Sequence, residues 1–204
     1  MSIPICAFSA SVNKARTANT TASLHVDTVD GALLTANRNS RKATYSVVAP
    51  AIALVASATD VFEIKGAADR RIEINKITVS GVQTTAGLVA ISLLRRSTAN
   101  TVGTSTVPVA AKHDSSDAAT LAAAKAYTAN PTVGTAAGVV RTVRVPIGVV
   151  TGAVPPTVID FGSSGKPVTL TSETESLALN LGGVTVDGGS LDISVEYTES
   201  LAAV

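Results

Sequence analysis

The sequence predicts an all-β protein: a jelly-roll-like antiparallel β-sandwich with one short helix in a long connection and an irregular N-terminal arm. Three observations predict it. Apolar residues recur at every second position in several short runs, most clearly at Leu191, Ile193, Val195 and Tyr197, with Asp192, Ser194 and Glu196 between them. Links rich in Gly and Pro, such as Pro155-Pro156 and Asp187-Gly188-Gly189, separate the runs. Only one stretch, Ala118 to Tyr127, is composed like a helix.

Taken in order, the first forty-odd residues stand apart. Lys14 to Asn19 and Asn37 to Lys42 are polar, with short extended candidates between them at Ala22 to Val26 and Ala32 to Thr35. Residues 1–44 are therefore expected to form an arm, and 45–204 the sandwich domain. The recurring apolar residues Ile3, Ile5, Phe8, Leu24, Val26, Leu33 and Leu34 predict an arm that orders on a neighbour, with Arg38 and Arg41 beside them.

From Tyr45 onward the pattern is β. Val61 to Ile64 reads as a short strand. Arg71 to Ser80 alternates at Ile72 and Ile74 and resumes at Ile77 and Val79, an odd step that predicts a bulge near Asn75 or Lys76. A loop from Gly81 to Gly87 leads to Leu88–Arg95, with Val89, Ile91 and Leu93 on one face, so these two strands are expected to pair as a hairpin. Ser97 to Pro108 is Thr-rich and irregular. Asp114 is placed to cap a helix over Ala118 to Tyr127, with Asp117 in its first turn and Asn130-Pro131 closing it. Strands resume at Val139–Val145, Thr157–Phe161, Val168–Leu170, the alternation of Leu177, Leu179 and Leu181, and the final run. About eight strands at this spacing fit two sheets face to face. Thr98–Thr104 is similar to Thr128–Thr135, but their surroundings differ, so this is repeated loop chemistry and not a solenoid.

Composition excludes more than it selects. Sixteen basic residues against fifteen acidic ones give no basic field for nucleic acid. Arg38 with Arg41 and Lys42, Arg70 with Arg71, and Arg95 with Arg96 read as solvated faces or strand ends. Three Phe, three Tyr and no Trp leave little for stacking sugars or bases. The single cysteine, Cys6, rules out an internal disulfide or a thiolate metal site. Met1-Ser2-Ile3-Pro4 is not the start of a secretory signal, although Asn19-Thr20-Thr21 matches a glycosylation sequon. The longest apolar stretch, Val47 to Ala58, is too short to span a bilayer and contains Pro50.

Catalysis finds no footing. His113 beside Asp114 lacks a Gly-x-Ser-x-Gly elbow, and Asp114 is better read as a cap. Glu173 and Glu175 share a face in an extended chain, which fits a solvated edge better than a glycosidase pair. Asp187 with Asp192 is a weak calcium pair, and no zinc, EF-hand or phosphate-loop spacing occurs. No catalytic, cofactor-binding or metal residue is expected. Only 15% of residues are charged, against the usual quarter, and the loops are rich in Ala, Val and Thr. A surface that poor in charge is commonly covered by copies or partners. Thr98, Asn100 and Val107, in the loop from Thr98 to Asp117, are the expected contact residues outside the arm.

Several segments carry a family resemblance. They are Ala58–Gly66, Arg71–Thr85, Leu94–Asn100 running into Gly103-Thr104-Ser105, Lys112-His113-Asp114-Ser115, Tyr127–Thr132 with Gly134-Thr135, and Ser190–Ile193 with Glu196–Glu199. In this order the chain from Ser57 to Thr198 resembles a family of tailed-phage virion structural proteins. The resemblance implies a non-enzymatic role in the virion, assembled in the bacterial host cytoplasm, with other virion proteins as partners. A decoration or cement protein bound to the major capsid protein is the first expectation, as a homotrimer matched to the local threefold sites of a capsid. A tail, collar or fibre accessory protein with a receptor-binding role is the alternative. The first 44 residues do not share the likeness.

Overall fold

The computed structural model describes residues 42–149, 152, 154–162, 166–184 and 188–201. The expected arm contacts Ile3, Ile5, Phe8, Leu24, Val26, Leu33, Leu34, Arg38 and Arg41 lie outside the described residues.

Among the described residues the chain is all β, with twelve strands and no helix. They are β1 Ala43–Ala53, β2 Asp60–Lys65, β3 Arg70–Gln83, β4 Gly87–Arg96, β5 Ser105–Thr106, β6 Ala110–Lys112, β7 Ala123–Tyr127, β8 Ala136–Val149, β9 Thr157–Asp160, β10 Val168–Leu170, β11 Ser176–Asn180 and β12 Ser190–Leu201. The order along the sheet is β5-β7-β2-β11-β4-β8-β3-β12-β1-β6, with β9 and β10 also paired to β3. β8 makes this one continuous sheet. Its first part runs antiparallel to β4, and its last two residues, Gly148 and Val149, pair parallel to Val82 and Gln83 of β3. The sheet is therefore mixed and curled, so that one face of each half contributes to a single core.

That core follows from strand alternation. Ile72, Ile74, Ile77 and Val79 of β3, Val89, Ile91 and Leu93 of β4, and Leu191, Ile193, Val195 and Tyr197 of β12 are all buried. Each such aliphatic side chain contributes about 1.5–3 kcal/mol when fully removed from water. The odd step in β3 is a bulge. Lys76 pairs with Glu196 and Ile74 with Tyr197, which leaves Asn75 as the extra residue, its carbonyl accepting the Phe161 N–H at 2.8 Å. A second bulge interrupts β1 between Ala49 and Ile52. There Ala51 takes a φ of 48° and its N–H donates to the Asp192 carboxylate at 2.8 Å.

Two expectations are corrected. β3 and β4 do not form a hairpin: β3 pairs with β12, and β4 with β11 and β8. Both strands carry a full apolar face, and the turn between them carries the chain from one half of the sheet to the other, so that the two faces meet across the core.

Nor is Ala118–Tyr127 a helix. Ala124 and Ala126 alternate into the core opposite Ile64 and Phe62 of β2, where small side chains fit beside large ones. The segment before them is tied down by its ends. Tyr45 Oη donates to the Ala118 carbonyl at 2.8 Å, Thr120 Oγ1 to Glu199 Oε2 at 2.6 Å, and the Leu121 N–H to the same oxygen at 3.1 Å. A ten-residue helix is marginal in water even when Ala-rich, so these contacts outweigh propensity. Asp114 does bond as a cap would, accepting the Ser116 N–H at 2.9 Å and hydroxyl at 2.7 Å, but the turn it makes leads into extended chain.

Leu179 is fully buried on β11, the strand joining β2 to β4. Leu179→Ala is expected to lower unfolding free energy by about 2–5 kcal/mol, read as a shift in the urea midpoint with little change in slope; a shift within error would place Leu179 outside the core.

Candidate functional site

The densest polar chemistry lies on the outer face of β2, β11 and β4. In a regular strand Asp60 and Glu63, three apart, would point to opposite faces. The register shifts here, with Phe62 opposite Leu179 and Asp60 opposite Asn180, so Val61 is an extra residue and both carboxylates reach the outer face. There they meet Arg96, from the end of β4.

The Asp60 carboxylate is saturated. Arg96 Nε donates to Oδ2 and Nη2 to Oδ1, both at 2.7 Å, in a two-pronged pair. Asn100 Nδ2 adds a bond to Oδ2 at 2.8 Å and Asn180 Nδ2 one to Oδ1 at 2.6 Å. Glu63 accepts the Asn100 N–H at 2.9 Å and the Tyr127 hydroxyl at 2.8 Å. Burial, and then Glu63, push the Tyr127 phenol well above its ordinary range, so it stays protonated and donating. Asp60 and Glu63 are 1% and 2% exposed, so both carboxylates are withdrawn from solvent. The cluster holds its members as a clamp.

What it clamps is a strap. Arg96 Nη1 donates to the Gly134 carbonyl at 2.5 Å and Asn100 Oδ1 accepts the Gly134 N–H at 2.9 Å. Thr98 Oγ1 accepts the Thr135 N–H at 2.7 Å, and Thr101 and Thr132 bridge each other. A Cβ on Gly134 would lie 1.8 Å from the Thr98 carbonyl oxygen, so only glycine lets the two segments approach this closely. The similar loops Thr98–Thr104 and Thr128–Thr135 are thus partners in one strap.

On the strap and just beyond it the chain displays apolar side chains to solvent. Val102 is 81% exposed at a φ of 56°, a region that β-branched residues rarely enter, and Val107 and Val109 are 68% and 89% exposed. Val107 and Pro108 border a groove with Val48, Pro50, Ile52 and Ala126, and no ionisable residue lines it.

The expected contact residues therefore divide. Val107 and Thr98 are exposed. Asn100 is corrected: at 4% exposure its side chain is committed to Asp60 and Gly134. Arg96 is also corrected, from solvated strand end to buried partner of Asp60. Arg95, by contrast, pairs with Glu175 at the surface. Asp60, Glu63, Tyr127 and Asn180 were not legible as a cluster, because only the bulge and the folded strap unite them.

The remaining candidates are dispersed. His113 Nε2 lies 2.5 Å from Ser46 Oγ at the surface, while the Asp114 carboxylate is turned to Ser116, so no Ser-His-Asp relay forms. Glu175 accepts the Thr171 N–H and pairs with Arg95, away from any partnership with Glu173. Asp187 lies outside the described residues, Asp192 serves the β1 bulge, and no metal-holding group of three forms among the described residues. Comparison with known proteins returns nothing: no family model, no curated protein and no solved structure matches this chain.

Asp60→Ala leaves the Arg96 guanidinium buried without its anion and should cost about 3–5 kcal/mol in urea unfolding, against about 1 kcal/mol for Asn180→Ala; equal small losses would contradict the clamp. A second test uses Glu73, which meets Lys42 Nζ and, at 2.7 Å, Arg71 Nε. Burial raises its pKa, but bonding to Lys42 and Arg71 outweighs this and holds it below the ordinary value. A carboxylate lowered on folding gives stability that is present above its unfolded pKa, about 4.3, and lost as pH falls through the folded value. Glu73→Gln should flatten the stability–pH curve below that point; an unchanged acid limb would refute the assignment.

Proposed function

We propose that this protein is a non-enzymatic structural component of a phage virion, acting as a decoration or cement protein on the head shell. The observation that carries the reading is the exposed apolar display of Val102, Val107 and Val109, with Val107 bordering an uncharged groove, on a chain whose most elaborate polar cluster is buried. Side chains this apolar gain by being covered, and a loop held by the strap loses little freedom on contact.

The resemblance of Ser57–Thr198 to tailed-phage virion proteins supports the same reading, since its quoted segments Ala58–Gly66, Leu94–Asn100 and Tyr127–Thr135 are the ones that build the clamp and strap. On this reading the curled sheet is a jelly-roll-like sandwich serving as a scaffold. The protein binds the major capsid protein as a homotrimer at local threefold sites. Residues 1–44, through Ile3, Ile5, Phe8, Leu24, Val26, Leu33, Leu34, Arg38 and Arg41, add contacts that cross-link capsid subunits.

The test is binding of purified protein to particles that lack it, viewed by electron microscopy. Wild-type protein should decorate the head lattice regularly. Val107→Asp combined with Val109→Asp should reduce occupancy about tenfold or more, because each buries a charge against an apolar partner, while leaving the unfolding midpoint in place. Density confined to the tail would favour the collar or fibre reading with a receptor-binding role, and absence of binding to any part of the particle would overturn the virion reading.

A further inference from the structure

The sheet has several open edges, and all but one are short or broken. β5 and β6, at the two ends of the strand order, have two and three residues, and β9 and β10 have four and three. β1 continues beyond its pairing with β6, which ends at Val47, but its own bulge kinks it there. Short and kinked edges are the usual protection against pairing with foreign strands.

β8 is different. Two bulges, at Ala137 and Val140, disturb its start, but from Arg141 to Ile147 it runs in unbroken register with Leu93 to Gly87 of β4. Its other edge has no partner strand among the described residues until Gly148 meets Val82. Arg141, Thr142 and Arg144 are exposed and Val143 is half-buried. The strand from Arg141 to Val145 is a regular edge of average strand length, paired on one side only among the described residues.

Charge selects what fits there. No carboxylate occurs anywhere from Ala118 to Ile159, nor in β4. Arg144 enters none of the ion pairs among the described residues, and Arg141 lies with its guanidinium 5.2 Å from the Phe161 ring centre. Asp160, next to Phe161, already accepts the Gly162 N–H. Arg95 and Arg96, which close the same pair of strands, hold Glu175 and Asp60. A second copy of β8 would bring the same arginines against these, and like charges across a strand pair are unfavourable. We infer that the Arg141–Val145 edge of β8 accepts an extended segment of a partner protein bearing Asp or Glu side chains, adding it to the sheet as a further strand. Main-chain hydrogen bonds would supply affinity, and Arg144 on one face of the strand and Arg141 on the other would each favour acidic over basic side chains opposite them. This inference stands independently of the virion reading.

The probes are two blocked nonapeptides, one alternating valine with glutamate and one alternating valine with lysine, added to the full chain. Binding is read by fluorescence anisotropy and by amide hydrogen exchange. The glutamate peptide should bind about tenfold more tightly than the lysine peptide at low salt, an advantage that shrinks as salt screens the charges. It should protect amides within Arg141–Val145. N-methylation of alternate peptide bonds on its pairing edge should abolish binding, and Arg141→Glu with Arg144→Glu should reverse the preference. Should that variant fail to fold, the N-methylated peptides still decide the matter. Equal binding of both peptides, indifference to N-methylation, protection elsewhere, or no binding of either would overturn the inference. Concentration-dependent protection of Arg141–Val145 in protein without peptide would also overturn it, by making a second copy the occupant.

Discussion

The outer face of this sheet depends on one ion pair. Asp60 and Arg96 are almost wholly withdrawn from water, and two bare charges in such a place would each cost several kcal/mol. The cost is offset only because every neighbour contributes. Asn180 comes from the adjacent strand and Asn100 from the strap, while the Gly134 carbonyl accepts from the third guanidinium nitrogen. The dependence runs both ways. Without the strap the pair would be hydrated and weak; without the pair the strap would be two irregular segments with no reason to lie on a sheet. A long connection that lacks secondary structure is thereby given one conformation.

A second polar knot does the same for the other long connection. Tyr45 and Tyr197 stand opposite each other in register, their rings stacked at 5.5 Å, and their hydroxyls reach Ala118 and Thr120. Glu199 gathers Thr120, the Leu121 N–H and Arg70. Between them the two knots use the chain's three tyrosines as donors at the boundary of a core filled mainly by aliphatic residues. A scarcity of aromatic residues is therefore no handicap to folding here, though it removes the flat platforms on which sugars and bases stack.

Much of this was legible in the sequence, and the failures have physical causes. Period-two alternation placed β12 and its inward face correctly, and the odd step between Ile74 and Ile77 announced the bulge at Asn75, because both signals are local. The Ala-rich run misled because Ala has the highest helix propensity while its alternation of Ala124 and Ala126 with Lys125 is a weak strand signal. Only Phe62 and Ile64 across the pair decide between them. The hairpin misled because the Gly81–Gly87 turn does not say whether two apolar faces will lie side by side or face to face. Asp60 and Glu63 were invisible as a pair, since their spacing points to opposite faces until Val61 is squeezed out of register. The sequence shows patterns within an element, and the clamp is a property of four elements together.

The disposition of charge bears on how such a molecule meets others. Among the described residues many acidic groups are engaged within the chain: Asp60 and Glu63 in the clamp, Glu73 and Glu199 at the tyrosine end, Asp114, Asp192 and Glu175 in turns and bulges. A carboxylate holding a turn is not available to attract a partner from a distance. Association through the exposed valines would thus proceed by shape and apolar burial, tolerant of salt, and would gain from repetition by symmetry more than from any one contact. The β8 edge is the exception, because Arg141 and Arg144 enter none of the ion pairs among the described residues. One surface tolerant of salt and one weakened by it, on one small scaffold, would be released under different conditions.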